Sequence, residues 1–468
     1  YSQAQYHIAS YADALYMHPM GQLVFEGYGG FGFYFNELLQ NFDVNVHVYR
    51  VGDYKSAVEP LLRNDMSEDA RMASEALYQN IWQHLVGDIA TNRRLEPSQV
   101  QAYADDLGAK LAATAGDMAR AALESHLVDE LLTTDQANVR VAEEVGFADE
   151  NRVDANAIDF ESYLLARNLR QPGLGLARNK VAVIVAQGMI VASGKGGGIV
   201  AADTTIDLIR RARQDQSIKA VVLRVDSPGG SQLASELIRQ ELELLQVSGK
   251  PVVASLAASA ASGGYWISAT ADRIVAEPTT ITGSIGIFSF LTTFEDTLSR
   301  YGIHTDGVGT TAITGDSVFT GVSDAMAQIL QARVENGYEQ FLNLVARGRG
   351  MAVEEVAKVA QGRVWTGDVA RELGLVDELG GLQTAIDQAA ELAGLSSWDT
   401  VRLREPIDPR AALMAELFAP DSQQGSSNLG VPAQLANTLS QLQRFDDPHH
   451  VYALCEPCWR LAPWVLRQ

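Results

Sequence analysis

An internal duplication limits the folds open to this chain more than any other feature of the sequence. Residues Gln5–Pro19 (QYHIASYADALYMHP) align without a gap with Gly264–Pro278 (GYWISATADRIVAEP). Two further pairs of segments match in the same order, Val46–Gly52 with Ile303–Gly309 and Leu127–Leu131 with Leu375–Leu379. Because the matches keep their order through both copies, we predict two tandem copies of one domain.

The two copies differ in length at their amino-terminal ends. The alignment places Tyr1 opposite Ala260, whereas the second copy already begins near Lys180. We therefore expect the first copy to be truncated at its N-terminus and the natural chain to continue upstream. The predicted domains are residues 1–150 for the first repeat, 151–178 for a connector, 179–395 for the second repeat and 396–468 for a partly ordered C-terminal tail, which contains a Gln/Ser/Gly-rich stretch at Asp421–Asn428.

Strand and helix patterns alternate in the complete second copy. Three apolar runs rich in β-branched residues predict buried strands, Lys180–Ala186, Lys219–Val225 and Pro251–Leu256. One intervening helix is predicted to start at an Asp203 cap and to carry Ile206, Ile209 and Ala212 on one face. The other is predicted to carry apolar residues at helical spacing, Leu233, Leu237 and Leu244. This alternation predicts an α/β domain with a parallel sheet.

Composition excludes several classes of protein. The chain has 468 residues, of which 47% are hydrophobic, and a formal net charge of -22. A chain this acidic repels nucleic-acid phosphates, so no nucleic-acid partner is expected. Its apolar runs fall short of the roughly 18 residues that a membrane-spanning helix needs. The longest ones, such as Val181–Val185 and Val252–Ala261, are better explained as buried strands.

The two cysteines, Cys455 and Cys458, lie in the predicted tail with the spacing C-x-x-C. A redox or metal-binding role would require a βαβ context or a second pair of ligands, and the sequence shows neither. A local disulfide or an inert pair is therefore favoured, and no metal site is expected.

Two glycine-rich turns follow predicted strands, at the edge where α/β folds bind ligands. They are Ser227–Gly230 (SPGG) and Ala260–Gly264 (AASGG). Glycines let backbone amides approach a ligand closely, so the amides of Gly229 and Gly263 are candidates for an oxyanion hole. Ser262 lies where a strand becomes a helix, and the positive end of the helix dipole there favours a nucleophilic oxygen.

A serine nucleophile needs a base, and the sequence near Ser262 does not supply an obvious one. Neither a G-x-S-x-G elbow nor an S-x-x-K pair surrounds this serine. His47 and His304 occupy equivalent positions in the two copies, which indicates a role in the fold rather than in catalysis. From the residues alone, two tight turns without any catalytic role remain an alternative.

Five motifs resemble signal peptide peptidase A of bacteria, in the long, duplicated form of peptidase family S49. In chain order they are Tyr54–Pro60 (YKSAVEP), Ser227–Ser231 (SPGGS), Ala261–Tyr265 (ASGGY), Thr282–Gly286 (TGSIG) and Gly362–Asp377 (GRVWTGDVARELGLVD). The resemblance implies tandem α/β domains of the crotonase/Clp-protease-like fold. It also implies a serine endopeptidase that degrades cleaved signal peptides. Such proteins form homo-oligomers, expected here to be tetramers, on the periplasmic side of the bacterial inner membrane, held by a transmembrane anchor that lies outside this sequence.

The same resemblance assigns a role to three side chains. Ser262 would be the nucleophile, Lys55 the general base and Ser284 the residue that orients the lysine amine. An ordinary lysine, with a pKa near 10.4, is neutral in only about one molecule in 2,500 at pH 7. Burial is therefore needed to lower the pKa of Lys55. Such a cycle requires no metal and no cofactor.

Each repeat supplies one half of this dyad. The first copy has Gln3 opposite Ser262, and the second copy has Ala312 opposite Lys55. One complete site forms within a chain if the two domains pack side by side, and between chains if an oligomer brings them together. Two other functions stay open at this point, a crotonase-like acyl-CoA enzyme that uses the same oxyanion turns and a non-catalytic scaffold.

Overall fold

The computed structural model of the protein describes residues 1–148, 155–170, 179–194, 198–404, 447, 451–455 and 458. The chain forms two compact units, Tyr1–Gly29 with Tyr78–Gly175 and Gly30–Leu77 with Leu176–Gln468. The segment Gly30–Leu77, which belongs to the first sequence repeat, therefore packs in the unit that contains the second repeat. The repeat boundaries stay a prediction, and the stretch Asp421–Asn428 lies outside the described residues.

The first unit is mainly helical. Its described elements are the helices Gln3–Ala9, Pro97–Asp105, Leu107–Ala113, Met118–Glu124, Thr134–Val145 and Phe160–Arg170 and the strands Tyr16–Met17 and Glu130–Leu131. A further helix, Glu68–Arg93, crosses the boundary between the units. The core of this unit includes Tyr6, whose hydroxyl donates to the carbonyl of Leu127 at 2.5 Å.

The duplication is visible in the hydrogen bonds of both copies. In the first copy Tyr16–Met17 runs parallel to Glu130–Leu131, and in the second Arg273–Ala276 runs parallel to Glu378–Leu379. The buried tyrosine hydroxyl is repeated as well, because Tyr265 donates to the carbonyl of Leu375 at 2.8 Å. An arginine–aspartate pair recurs beside each strand pair, Arg93 with Asp129 at 2.7 Å and Arg349 with Asp377 at 2.5 Å. The predicted α/β class with tandem copies is confirmed.

A largely parallel sheet forms the centre of the second unit. Among the described residues it has eight strands, Val364–Thr366, Ile281–Gly283, Val252–Ala261, Ile218–Ser227, Lys180–Gln187 and Asp399–Arg402 in spatial order, with Arg273–Ala276 and Glu378–Leu379 branching from Val252–Ala261. The three predicted strands are present and lie side by side. The strand Asp399–Arg402 pairs with Lys180–Gln187, so the sheet continues into residues predicted as tail.

Helices cover this sheet, and the predicted cap at Asp203 is wrong. The helices of the unit are Asn36–Asn41, Glu59–Leu62, Ala202–Gln214, Gln232–Val247, Gly263–Trp266, Glu295–Arg300, Asp324–Arg349, Val353–Val359, Gly367–Glu372 and Leu382–Leu392, with a 3-10 turn at Ser56–Val58. Asp203 lies inside the first turn, because Ala201 is the cap residue. Leu233, Leu237 and Leu244 are 40%, 41% and 49% exposed, since the buried face of their helix carries Ala234, Ile238, Leu242 and Leu245.

A second sheet lies at the carboxyl edge of the first and positions the site. Its strands, in spatial order, are Asn45–Val51, Ile287–Thr293, Tyr452–Leu454, Gly229–Ser231, Met189–Val191 and Ile199–Ala201. The first pair is antiparallel and joins a strand of the first repeat to a strand of the second. Within the described ranges, every helix is too short or too polar to span a lipid bilayer.

Candidate active site

Ser262 lies at a sharp turn between the strand Val252–Ala261 and the helix Gly263–Trp266. Its φ of 56° is in the left-handed region, a conformation that costs of order 1–3 kcal/mol for a residue with a side chain and recurs at functional sites. The amide of Ser262 donates to the carbonyl of Gly283 at 2.8 Å, which fixes the turn to the neighbouring strand. The residue is fully buried. The helix that follows has only four residues, so its dipole contributes little.

The two glycine-rich turns lie in contact. A Cβ on Gly264 would come within 2.6 Å of the carbonyl oxygen of Ser227, and one on Gly263 within 3.1 Å of the Cα of Gly229. Only glycine permits this approach. The backbone amides of Gly229 and Gly263 are thereby brought next to each other, as the oxyanion prediction requires. In this structure the Gly229 amide donates to the hydroxyl of Ser227 at 3.2 Å.

Lys55 reaches the second repeat through the strand that precedes it. The strand Asn45–Val51 pairs along its whole length with Ile287–Thr293. Beyond this strand the chain turns, and the Lys55 amide donates to the carbonyl of Gly52 at 3.1 Å. Arg50 donates to the Lys55 carbonyl at 3.2 Å, which holds the turn from the other side. The lysine side chain is buried within the second unit and does not reach solvent.

The structure brings the three predicted side chains together. The Lys55 amine lies 2.9 Å from the Ser262 hydroxyl, 3.0 Å from the Ser284 hydroxyl and 3.1 Å from the Ser284 carbonyl. Lys55 is 1% exposed and Ser284 is 2% exposed. Among the described residues, no carboxylate forms an ion pair with this amine.

Burial lowers the pKa of Lys55 well below the ordinary lysine value. The cause is loss of hydration, which penalises the charged ammonium. A charged lysine in such surroundings would need a nearby anion. The neighbours of this amine are two hydroxyls and a carbonyl, all of them neutral. The structure therefore favours the neutral amine, which is the form that can accept a proton.

The turn at Gly362, which was not among the predicted site residues, packs closely against the backbone of Lys55. Gly362 has a φ of 77°, and a Cβ on it would lie 2.9 Å from the Lys55 amide nitrogen and 3.0 Å from its Cα and Cβ. The Gly362 amide donates to the carbonyl of Ile285 at 2.8 Å, and the amide of Ser284 donates to the carbonyl of Arg363 at 2.7 Å. The turn thus holds both Lys55 and Ser284. The motif that begins at Gly362 was the available signal.

A strand late in the chain lies beside the first oxyanion turn. Tyr452–Leu454 is antiparallel to both Gly229–Ser231 and Ile287–Thr293 and lies between them. The amide of Cys455 donates to the carbonyl of Pro228 at 2.8 Å, directly beside the first oxyanion turn. A small cavity behind Lys55 and Ser284 has mainly small or apolar walls, which include Ala57, Ala70, Ala73, Val364 and Leu454.

Asp447 fastens this strand. Its carboxylate accepts a hydrogen bond from the Ser231 hydroxyl, and it also accepts the amide of Val451 at 3.4 Å. Asp447 is 2% exposed. Cys455 and Cys458 form a disulfide, the local pairing that the sequence favoured. The role of Asp447 was missed because no local pattern marks a contact between residues so far apart in the chain.

The two equivalent histidines do not contribute to the cluster. The His47 ring lies 2.9 Å from the hydroxyl of Thr293, across the strand pair. His304 is exposed on a loop. The lysine is therefore the basic side chain that the structure places at Ser262.

Comparison with known proteins finds proteases that match nearly the whole chain. The sequence model of peptidase family S49 matches residues 1–148 and 245–396. "Protease 4" of Haemophilus influenzae is 38% identical over 98% of this chain and 76% of its own length. "Protease 4" of Salmonella typhi is 39% identical over 98% of this chain and 74% of its own length. "Serine protease SPPA, chloroplastic" of Arabidopsis thaliana is 28% identical, with 94% of this chain and 63% of its own length covered.

These matches define the class of protein as a serine protease. The chain belongs to peptidase family S49. Of the three functions left open by the sequence, the peptidase is thereby selected over the acyl-CoA enzyme and the scaffold. The two matched segments fall in the two copies of the duplication.

Proposed function

We propose that this protein cleaves peptide bonds with a dyad in which Ser262 is the nucleophile and Lys55 the general base. One observation carries the proposal. The lysine amine lies 2.9 Å from the serine hydroxyl in a buried place, within the hydrogen-bond reach that a proton transfer needs. Serine alone is too weak a nucleophile and must lose its proton as it attacks.

The hydrogen bonds around the amine suit its neutral form. A neutral amine has two N–H donors and one lone pair. The two donors are satisfied by the carbonyl and the hydroxyl oxygen of Ser284, at 3.1 and 3.0 Å. The lone pair is then left for the O–H of Ser262. Ser284 in this arrangement orients the amine throughout the cycle.

Acylation begins when Ser262 Oγ attacks the peptide carbonyl. The hydroxyl proton passes to Lys55 Nζ as the bond to carbon forms, and the oxygen of the tetrahedral intermediate becomes negative. The amides of Gly229 and Gly263 stabilise that oxygen. Each such donor contributes about 2.7–4 kcal/mol to catalysis. To take part, the Gly229 amide exchanges its long bond to Ser227 for one to the oxyanion.

The remaining steps return the enzyme to its starting state. The Lys55 ammonium gives its proton to the leaving amine, and the peptide bond breaks to leave an acyl-serine. Lys55, neutral again, removes a proton from water as the water attacks the ester. The Ser262 oxygen then leaves and regains a proton from the lysine.

Cleaved signal peptides are the proposed substrates, at the periplasmic face of a bacterial inner membrane, with the protein acting as a homo-oligomer, proposed to be a tetramer. The five sequence motifs support this assignment through their resemblance to signal peptide peptidase A.

A fluorophosphonate probe and casein hydrolysis test the dyad. We expect the probe to label the wild-type protein and not Ser262→Ala. We expect Lys55→Ala to lose about 10²–10⁴-fold in casein hydrolysis, the usual contribution of a general base, with an unchanged circular dichroism spectrum. Lys358→Ala, which removes an exposed lysine, is the matched control and should keep wild-type activity. Activity of Lys55→Ala within a few-fold of wild type would contradict the proposal.

A further inference from the structure

A groove that the proposed mechanism does not use lies beside the helix Gln232–Val247. Its walls come from this helix, from the helix Asp324–Arg349 and from Asp447 and Val451. The groove encloses about 530 Å³. Ligand sites in proteins typically measure about 300–1,000 Å³, so this groove is large enough for several side chains of an extended peptide.

The groove has apolar side chains on both of its helices. Leu233 and Ile329 line it and are 40% and 42% exposed, and Ala332 adds to the apolar surface. Its polar side chains are Gln232, Glu236, Arg333, Asn336, Gln340 and Asp447. Exposed apolar side chains in a concave surface with polar groups around them are typical of a site that binds an apolar ligand.

The groove adjoins the proposed active site. Gln232, in its wall, directly follows the strand Gly229–Ser231 of the first oxyanion turn. Glu236, one helical turn further on, accepts the indole N–H of Trp266 at 2.8 Å. Trp266 ends the short helix that begins after Ser262. A peptide bound at the oxyanion turns could therefore extend into the groove.

The strand Tyr452–Leu454 shows the direction of a chain that pairs with Gly229–Ser231. It runs antiparallel to that strand, and its last residue lies opposite Gly229. At its other end, the carbonyl of Val451 accepts the amide of Gln232 at 3.3 Å. A peptide that displaced this strand and paired in the same way would have the cleaved bond near Gly229 and its preceding residues at the groove.

We propose that this groove binds apolar side chains of the peptide substrate, on the amino-terminal side of the cleaved bond. The peptide takes the place of Tyr452–Leu454, so the residue whose carbonyl is attacked lies near Gly229. Three residues earlier, about 10 Å along an extended chain, the peptide reaches the place of Val451 and enters the groove. This inference rests on the proposed function and adds a substrate preference to it.

Two fluorogenic peptides test this preference. They share the sequence around the cleaved bond and differ only at the fourth to sixth residues before it, which are leucines in the apolar peptide and serines in the polar peptide. We expect the wild-type KM for the apolar peptide to be at least about fivefold lower, with similar kcat values, because contacts far from the reacting atoms stabilise bound substrate and transition state alike. Equal KM values for the two peptides would overturn the proposal.

Leu233→Asp tests whether the groove causes the preference. A carboxylate there should bring the KM for the apolar peptide to within about twofold of that for the polar peptide, because apolar contacts are lost. Leu244→Asp is the matched control, since Leu244 is 49% exposed on the same helix and lies outside the groove. This control should keep the wild-type preference. A preference that survives in Leu233→Asp, or that disappears in both variants, would contradict the groove.

Peptide binding to Ser262→Ala separates this proposal from the dyad. Fluorescence anisotropy of the two labelled peptides measures their affinities without cleavage. We expect the apolar peptide to bind at least about fivefold more tightly, and we expect Leu233→Asp in the same background to remove the difference. Hydrolysis by Ser262→Ala would contradict the dyad and leave the groove result standing. Equal affinities, together with hydrolysis that depends on Ser262, would contradict the groove alone.

Discussion

Two buried lysines in the second unit differ in the hydrogen-bond partners of their amines. Lys250 donates to three backbone carbonyls, of Ala212, Arg213 and Asp215, at 2.7 to 2.9 Å. Two of these lie in the last turn of the helix Ala202–Gln214, where the helix dipole favours a cation. Lys55 has one carbonyl and two hydroxyls instead. Burial lowers the pKa of both amines. Three carbonyls can accept all three protons of a charged Lys250, whereas the cluster around Lys55 offers a hydroxyl that can donate to the lone pair of a neutral amine.

The lowered pKa of Lys55 makes a prediction for the pH dependence of hydrolysis. A protonated amine cannot accept the Ser262 proton, so kcat/KM should fall as the pH drops through the pKa of Lys55. Because burial lowers this pKa, the fall should lie well below the ordinary lysine value near 10.4. A kcat/KM profile with a fluorogenic peptide measures it. Lys358→Ala should keep the profile, and a profile that responds only near pH 10.4 would exclude a buried lysine base.

The sequence predicted which side chains form this cluster, but it did not predict the residues that hold the surrounding turns and strand in place. Ser262, Lys55 and Ser284 each lie in a short motif that resembles a known family, so their meeting could be anticipated. Asp447 could not be found in this way, because its role depends on a contact to Ser231 that only the folded chain creates. Gly362 was included in a motif, but its close approach to the Lys55 backbone depends on the path of both turns.

At the scale of elements, the turn at Gly362 explains how a lysine from one repeat is held against the other. The parallel sheet was predictable here because apolar runs alternate with helical patterns along the second repeat. The face of the helix Gln232–Val247 was not, since leucines at helical spacing lie on its exposed side while smaller residues face the sheet. Spacing identifies a helix, whereas the neighbours available in the fold decide which side is buried.

Gly362→Ala should reduce activity by displacing Lys55. The substitution adds left-handed strain of roughly 1–2 kcal/mol and also a Cβ about 3.0 Å from three Lys55 atoms. Gly350→Ala is the matched control, because Gly350 has a similar φ of 64° and open space around its Cβ position. In urea unfolding, we expect the backbone strain to lower the free energy of unfolding of both variants. Only Gly362→Ala should also lose at least tenfold in kcat. Equal kcat values would show that the turn does not position the lysine.

The strand Tyr452–Leu454 pairs with Gly229–Ser231 beside the proposed oxyanion hole, so we expect it to restrict substrate access. Asp447→Asn weakens the bond that fastens it to Ser231. We expect a several-fold rise in kcat/KM for casein, because the strand then yields more readily to substrate. Asp324→Asn, at an exposed helix start, serves as the control. A fall in kcat/KM for Asp447→Asn would mean that the strand supports the cleft instead of covering it.

At the scale of the whole molecule, duplication has divided the proposed active site between two copies. The first repeat contributes Lys55 on the segment Gly30–Leu77, which packs in the second unit, and the second repeat contributes Ser262. The sequence alone left open whether these residues meet within a chain or between chains. It could not decide because either packing satisfies the same pattern of Gln3 and Ala312 at the lost positions.

Mixing two inactive variants distinguishes these arrangements. If the dyad forms within one chain, as the 2.9 Å contact indicates, a chain with Lys55→Ala keeps its serine without a base, and a chain with Ser262→Ala keeps its lysine without a nucleophile. Co-expressed in one cell, the two variants should therefore give mixed oligomers with no more casein hydrolysis than either variant alone. Co-expression of wild type with the double variant, at equal levels, is the control and should give about half the wild-type activity. Recovery of activity in the mixture of single variants would show that the lysine reaches the serine of a neighbouring chain.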